Sequence, residues 1–260
     1  MNTVIGLLII AIGAFCQSSS YVPINKIRKW SWESYWLIQG VFAWLIFPIL
    51  GALLAVPQGH GLFELYAAAP KESFLTMFFG VLWGVGGLTF GLSMRYLGVA
   101  LGQSIALGTC AGLGTIMGPV LLNIFFPELD ALSSLTAAVI IGVVTTLAGI
   151  AIIGIAGGMK SASLSEEEKK EAVKDFNFPK GLAIALLAGF MSGCFNVGLE
   201  FGKELNFGEL TDPMFRTLPA TLLVTVGGFL TNACYCIFQN VRNRTFTDYK
   251  DGKLWASNIF

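Results

Sequence analysis

The side chains that could carry a proton or bind a polar ligand lie within long apolar runs of this sequence. Ser192, Asn196 and Glu200 recur every four residues in one such run, so they share a face of the predicted helix. A polar stripe of this kind is costly against lipid, and we expect it to face the interior of a helix bundle. Glu200 is the candidate proton-coupling residue, because a partly desolvated carboxylate takes up a proton more readily. The alternative is an interfacial Glu200 that pairs with Lys203, one turn away.

A second set of side chains has the types that a small polar ligand requires. Such a ligand needs hydrogen-bond partners for its polar groups and an aromatic or apolar surface for its C–H groups. The candidate substrate-binding residues are Gln17 and Tyr21, which are one turn apart, Trp83, Gln103 and Ser104, and Asn196. Each of them could instead serve only as a contact between helices, and Trp83 could be a packing residue.

The densest cluster of cations and aromatics is "INKIRKWSWE", residues 24–33. Trp30 and Trp32 are candidate anchors at the level of the lipid headgroups. Glu33 and Arg95 both fall at helix ends, where they could form an inner ion pair or gate, although interfacial anchoring is the simpler interpretation. The five cysteines lack the spacing of a metal or redox site, so we expect packing thiols and no metal or cofactor. No catalytic motif of an intramembrane enzyme is present, and we expect none of its activities.

The elements that must position these residues are membrane-spanning helices. The chain is 55% hydrophobic and 12% charged, whereas soluble domains average about 25% charged residues. The sequence therefore predicts an all-α integral membrane protein, surrounded by lipid. Its net charge of zero provides no basic surface for nucleic acid.

Seven apolar runs are long enough to cross a bilayer as helices. We expect seven spans, at about 3–24, 35–57, 73–95, 98–126, 134–157, 181–202 and 214–239. Of the 16 Lys and Arg residues, loops after even-numbered spans hold Lys71, Lys203 and Arg216, which leaves 13 for loops after odd-numbered spans. Because short cationic loops stay in the cytoplasm, the amino terminus is predicted to lie outside.

Two spans resemble each other. The segments that begin at Gly6 and Gly181 both open with Gly-Leu, and Phe15 is in register with Phe190. Equivalence of spans one and six would invert the second copy relative to the first, since five spans separate them. Inverted repeats of this kind are typical of secondary transporters, whose two faces open alternately.

Three motifs carry a resemblance to a known family. "KIRKWSWE" (26–33), "FGVLWGVGGLTFGLSMRYLG" (79–98) and "LGQSIALG" (101–108) resemble the L-rhamnose-proton symporter family of the drug/metabolite transporter superfamily. The resemblance implies a carrier of ten helices in the inner membrane of a bacterial-type cell, which takes up a deoxyhexose with a proton. It divides the chain into a first five-helix repeat (1–158), a cytoplasmic loop (159–180) and an incomplete second repeat (181–260). Three further helices are thus expected after Phe260 in a longer chain, or are missing from this protein.

Other functions stay open on the sequence alone. Seven spans with an external amino terminus is also the layout of seven-helix receptors, although 214–239 lacks the lysine of a retinal protein. A drug/metabolite carrier with a different substrate is a further alternative. Further spans after Phe260 in the parent reading frame would exclude the receptor. The sequence leaves open which sugar is carried, whether a proton or sodium is coupled, and whether subunits associate.

Overall fold

A computed structural model describes residues 3–19, 27, 29–163, 165 and 175–250. Within this part of the chain, six helices are long and apolar enough to cross a membrane. They cover Trp32–Leu53, Pro70–Leu97, Leu101–Phe125, Ala137–Lys160, Phe178–Phe201 and Leu218–Asn243. A shorter apolar helix, Val4–Cys16, precedes them. The prediction of a polytopic, all-helical membrane protein is therefore confirmed.

The α-helices are α1 (Thr3–Ser19), α2 (Trp32–Gly40), α3 (Phe47–Leu53), α4 (Leu62–Ala68), α5 (Pro70–Leu97), α6 (Val99–Phe125), α7 (Ala137–Ser163), α8 (Phe178–Phe201) and α9 (Leu218–Asn243). A π-helical segment, Val41–Ile46, makes one continuous helix of α2 and α3. Short 3₁₀ turns cover Pro127–Leu129, Ala131–Ser134, Gly208–Leu210 and Thr245–Lys250.

The helix bounds differ from the predicted spans where the polar ends of helices reach beyond the apolar run. The second span starts at Trp32 rather than at 35, so Trp32 and Glu33 belong to the first turn of α2 and not to a turn before it. α7 continues to Ser163, beyond the predicted end at 157. The predicted first span overlaps α1, of which the structure describes 17 residues.

Local sequence signals explain several of the helix ends. α5 and α6 are separated only by Gly98, whose φ of 81° suits a residue without a Cβ atom. α8 begins with Pro179 in its first turn, and the side chain of Asn177 accepts a hydrogen bond from the backbone N–H of Lys180. A mixed-charge surface helix predicted around Glu166 and Lys170 lies outside the described residues.

The chain forms two compact units. The first consists of Met1–Gln39 and Tyr235–Phe260, and the second is Gly40–Cys234. These units do not coincide with the predicted repeats, 1–158 and 181–260. The division into repeats stays a prediction.

Within the second unit, α8 packs against α5 and α6. Buried residues of these helices form two apolar clusters. One includes Phe79, Val197 and Phe201, and the other includes Ile105 and Ala188. Each cluster lies where α8 meets its neighbours.

Glycines bring the helix backbones of this unit together. A Cβ atom on Gly80 of α5 would lie 2.8 Å from Cα of Val224 in α9. Gly193 of α8 and Gly114 of α6 meet in the same way, with each virtual Cβ 3.2–3.3 Å from the other residue's Cα. The density of glycines in α5 and α6 predicts this close approach from the sequence, because small residues let helix backbones meet.

Candidate functional site

The second unit contains an aromatic group centred on Trp83. This residue lies at the middle of α5, a helix of 28 residues. Its ring centroid is 5.9 Å from that of Trp44 and 4.9 Å from that of Phe195, both in edge-on geometry. Trp83 is half-buried, so part of its ring remains accessible. The group therefore offers an aromatic surface half-way along an apolar helix that is long enough to span a membrane.

The polar stripe of α8 runs beside this group. A Cβ atom on Gly86 would lie 2.8 Å from Oγ of Ser192, and one on Gly114 would lie 3.0 Å from Nδ2 of Asn196. The stripe thus faces glycines of α5 and α6, as a stripe that avoids lipid should. Asn196 is exposed and directly follows Phe195 in the sequence. Its amide is therefore free of bulky neighbours on the side of α6 and could bind a hydroxyl.

Glu200 has a different environment from Asn196. Its side chain packs on Gly118 of α6, and one carboxylate oxygen lies 3.9 Å from Nζ of Lys203. The Lys203 side chain is 68% exposed and that of Glu200 is 43% exposed. This geometry fits the interfacial pair that the sequence analysis gave as the alternative, and the coupling role of Glu200 stays a prediction.

The other candidate substrate residues do not all reach the level of Trp83 and Asn196. Gln103 and Ser104 are exposed in the first two turns of α6. Gln103 precedes Gly114 by 11 residues, which is about 16 Å along the helix, longer than a monosaccharide. Gln17 lies in α1, and Tyr21 lies outside the described residues. A single sugar at Trp83 would therefore not touch Gln103.

Three residues beside Trp83 were not among the predicted site residues. Trp44 and Phe195 complete the aromatic group, and Asn232 of α9 is buried. The amide nitrogen of Asn232 donates to the carbonyls of Gly228 and Gly84, at 2.8 and 3.3 Å. An asparagine within an apolar span is itself a signal of function or of helix contact, and that signal could have identified Asn232.

The first unit contains a buried carboxylate. Glu33 is only 7% exposed. Its Oε1 accepts hydrogen bonds from Nδ2 of Asn243 at 2.9 Å and from Oγ1 of Thr245 at 3.0 Å. Across the described residues no Lys, Arg or His side chain forms an ion pair with it. Within the described residues, the carboxylate thus contacts neutral donors from the last residue of α9 and from the turn after it.

The hydrogen bonds continue beyond Glu33. Oδ1 of Asn240, a fully buried residue, lies 2.9 Å from Oγ of Ser34 and 2.9 Å from Oγ1 of Thr245. Oγ and the backbone N–H of Ser31 each lie 2.9 Å from Oδ2 of Asp248. We call the set Ser31, Glu33, Ser34, Asn240, Asn243, Thr245, Asp248 and Tyr249 the Glu33 cluster. It joins the start of α2 to the turn after α9.

The tryptophans next to this cluster have unequal exposure. Trp32 is 46% exposed and stacks on Trp36, as a residue at the membrane interface can. Trp30 is 8% exposed and packs edge-on against Tyr249. The anchoring role predicted for both therefore fits the environment of Trp32 and does not fit that of Trp30.

Arg95 has its own partner in the second unit. Its Nε lies 2.6 Å from Oδ2 of Asp175. Arg95 is thus paired with Asp175, which lies three residues before α8, and the inner ion pair of Arg95 with Glu33 stays a prediction. Any gating role of Arg95 would act through Asp175.

A cavity elsewhere in the second unit has a different character. It has a volume of about 560 Å³ and lies between α6, α7 and α8, where Leu113, Ile150 and Leu186 are among its lining residues. Such a lining cannot satisfy the hydroxyls of a sugar. No group of three or more metal-ligating side chains occurs among the residues that were searched, which are the described ones.

Comparison with known proteins gives one family. The family described as L-rhamnose-proton symport protein (RhaT) matches residues 1–252. An L-rhamnose-proton symporter of Cronobacter sakazakii is 34% identical over 90% of this chain and 66% of its own length. Those of Escherichia coli and Yersinia pestis are each 30% identical, over 95% and 91% of this chain and 70% and 67% of their own lengths. The chain thus spans about two thirds of these relatives. No solved structure matches it.

Proposed function

The chain belongs to the L-rhamnose-proton symport protein family, and on this premise we propose that it takes up L-rhamnose or a related deoxyhexose together with a proton. The relatives carry that activity in their names. For this chain, which spans about two thirds of their length, the substrate and the coupling ion belong to the proposal.

The observation that carries the proposal is the pairing of the Trp83 aromatic group with the exposed amide of Asn196. A deoxyhexose has one face of C–H groups and a methyl group, which can lie on an aromatic ring. Its hydroxyls need partners that both donate and accept, and an amide does both. Ser192 adds a hydroxyl one turn from Asn196 on the same helix face. We therefore assign sugar binding to Trp83, Asn196 and Ser192. Gln103 and Ser104 would contact a sugar only at a second position along α6.

The sidedness of the protein is part of the same proposal. We place the amino terminus outside the inner membrane, because 13 of 16 cations follow odd-numbered predicted spans. A reporter that is active only in the cytoplasm should then work when it is fused after Lys170 and fail when it is fused after Asp130. The opposite pattern would reverse every assignment of sides.

The inverted arrangement of two repeats also belongs to the proposal. It is supported by the similarity of the segments that begin at Gly6 and Gly181, which would make α1 and α8 equivalent. Five spans separate the two segments, so the copies would have opposite orientations and could open alternately.

Transport is tested by uptake of labelled L-rhamnose. The protein is expressed from its own reading frame in a cell that lacks rhamnose uptake, and uptake is measured with and without an uncoupler. We expect concentrative uptake that the uncoupler abolishes, and competition by unlabelled L-rhamnose. Correct membrane insertion without uptake of L-rhamnose or another deoxyhexose would refute the assigned substrate class.

A further inference from the structure

The Glu33 cluster places a buried carboxylate beside a hydroxyl that has two possible acceptors. Oγ1 of Thr245 is 3.0 Å from Oε1 of Glu33 and 2.9 Å from Oδ1 of Asn240. A hydroxyl has a single proton, so it can donate to only one of these oxygens at a time. The Thr245 hydroxyl therefore donates its proton either to Glu33 or to Asn240.

This choice lets the cluster satisfy both forms of Glu33. When Glu33 is ionised, Thr245 donates to its carboxylate together with Asn243. When Glu33 is protonated, its own O–H can donate to Oγ1 of Thr245, which then donates to Asn240. No buried polar group loses its last partner in either form, and an unsatisfied one would be costly. A carboxyl group with partners in both states is suited to bind and release a proton.

We infer that Glu33 binds the proton that moves with the substrate, and that Thr245 is the positioning residue that accommodates both protonation states. The inference rests on the proposed function for the meaning of "substrate", but the binding of a proton can be tested without it. It gives the coupling role to a buried carboxylate with neutral partners. Glu200, by contrast, has a side chain that is 43% exposed, and one of its carboxylate oxygens lies 3.9 Å from Nζ of Lys203.

The other titratable groups near Glu33 are compatible with this role. Asp248 bonds to Ser31 and not to Glu33. Burial raises the pKa of the Tyr249 phenol, which therefore stays protonated as the bond from its OH to the carbonyl of Ser34 requires. Cys236, one turn before Asn240, is a buried thiol. Arg242 and Arg244 flank Asn243 in the sequence, but both are exposed.

The location of Glu33 suits the end of a proton pathway. It lies in the first turn of α2, directly after the cationic segment 24–29, which the proposed sidedness places in the cytoplasm. Glu33 would therefore give up its proton on the inner side. After the proton is released, the Thr245 hydroxyl would again donate to the Glu33 carboxylate, as it does in the structure.

The first test measures transport in four variants of the protein. For Glu33→Gln we expect loss of concentrative uptake and a flat pH profile, while exchange of labelled for unlabelled sugar continues. Thr245→Val should shift the midpoint of the pH profile, because its methyl group can neither donate nor accept. Thr245→Ser, which keeps the hydroxyl, should match the wild type, and so should the control Glu209→Gln, at an exposed position of the turn Gly208–Leu210. Concentration of sugar by Glu33→Gln with an unchanged pH profile would overturn the inference.

A second measurement needs no sugar. Difference infrared spectra of the purified protein are recorded as the pH is lowered, and the C=O band of a protonated carboxyl is compared between the wild type and Glu33→Gln. We expect a band that is present only in the wild type and moves in Thr245→Val. If the wild type shows no uptake but this band titrates, the proposed function fails and proton binding stands. If neither variant changes the band, Glu33 does not bind the proton.

If the Glu33→Gln protein does not reach the membrane, the inference is tested by the two variants Thr245→Val and Thr245→Ser alone. If Thr245→Val and Thr245→Ser both have the pH profile of the wild type, the Thr245 hydroxyl does not influence proton binding. That result would refute the inference.

Discussion

The two units differ in the kind of contact that stabilises each of them internally. In the second unit, helices approach through glycines, and Gly80 leaves no room for a further carbon atom. In the first unit, the Glu33 cluster fills its interior with side chains that satisfy each other's hydrogen bonds. The second unit should therefore be sensitive to added atoms, and the first to lost partners. Rigid backbone packing suits a scaffold for a ligand, whereas exchangeable hydrogen bonds suit a site that changes its charge.

The largest effect is expected where the second unit is tightest. Gly80→Ala places a methyl group 2.8 Å from Cα of Val224, and a backbone cannot move aside as a flexible side chain can. We expect the free energy of unfolding to fall by about 1–3 kcal/mol or more. Thermal unfolding in detergent measures it. Gly91→Ala in the same helix is the control, because nothing lies within 4 Å of its virtual Cβ atom. Equal stability of the two variants would show that the glycine contact is not tight.

The matching change in the first unit removes a partner. Asn240→Leu leaves the hydroxyl of Ser34 without its acceptor in a fully buried position. We expect a loss of about 1–3 kcal/mol, the usual cost of an unsatisfied buried group. Val241→Leu, at an exposed position of the same helix, should have no measurable effect in the same unfolding experiment. A stable Asn240→Leu protein would mean that the cluster does not stabilise the first unit.

Trp83 separates ligand binding from packing. Trp83→Ala should weaken the apparent affinity for sugar by up to about tenfold, the equivalent of about 0.5–1.5 kcal/mol for an aromatic contact. Trp83→Phe should keep much of the affinity, since an aromatic surface remains. Uptake at varied sugar concentration measures both, alongside the amount of folded protein. If both variants lose folded protein equally, Trp83 is a packing residue.

The smallest effect on stability is expected at the polar stripe. A methyl group on Gly114 would lie 3.0 Å from Nδ2 of Asn196, the movable end of a side chain, so Gly114→Ala should cost no more than about 1 kcal/mol. It should nevertheless change the affinity for sugar, because the amide must turn away. Gly149→Ala has nothing within 4 Å and provides the control. Unchanged affinity in Gly114→Ala would place Asn196 outside the sugar site.

The sequence predicted the features that depend on local composition. Apolar runs identified the helices that cross the membrane, and glycine density predicted close contacts between them. The four-residue spacing of Ser192 and Asn196 predicted a shared face; in the structure Ser192 lies against Gly86 of α5 and Asn196 lies against Gly114 of α6.

Features that depend on distant residues could not be predicted in this way. The partners of Glu33 are 210 and 212 positions away along the chain, and no periodicity connects them. The burial of Trp30 follows from its contact with Tyr249, which is equally remote in sequence. A weak signal existed in Asn232 and Asn240, which are eight residues apart in an apolar span and so share a helix face.

Proton movement driven by sugar tests symport most directly. Cells or vesicles that contain the protein are placed in a weakly buffered medium without oxygen, and the external pH is recorded when L-rhamnose is added. We predict a prompt alkalinisation that an uncoupler abolishes and that Glu33→Gln lacks while it still exchanges sugar. Uptake of L-rhamnose without any change of external pH would contradict symport with a proton.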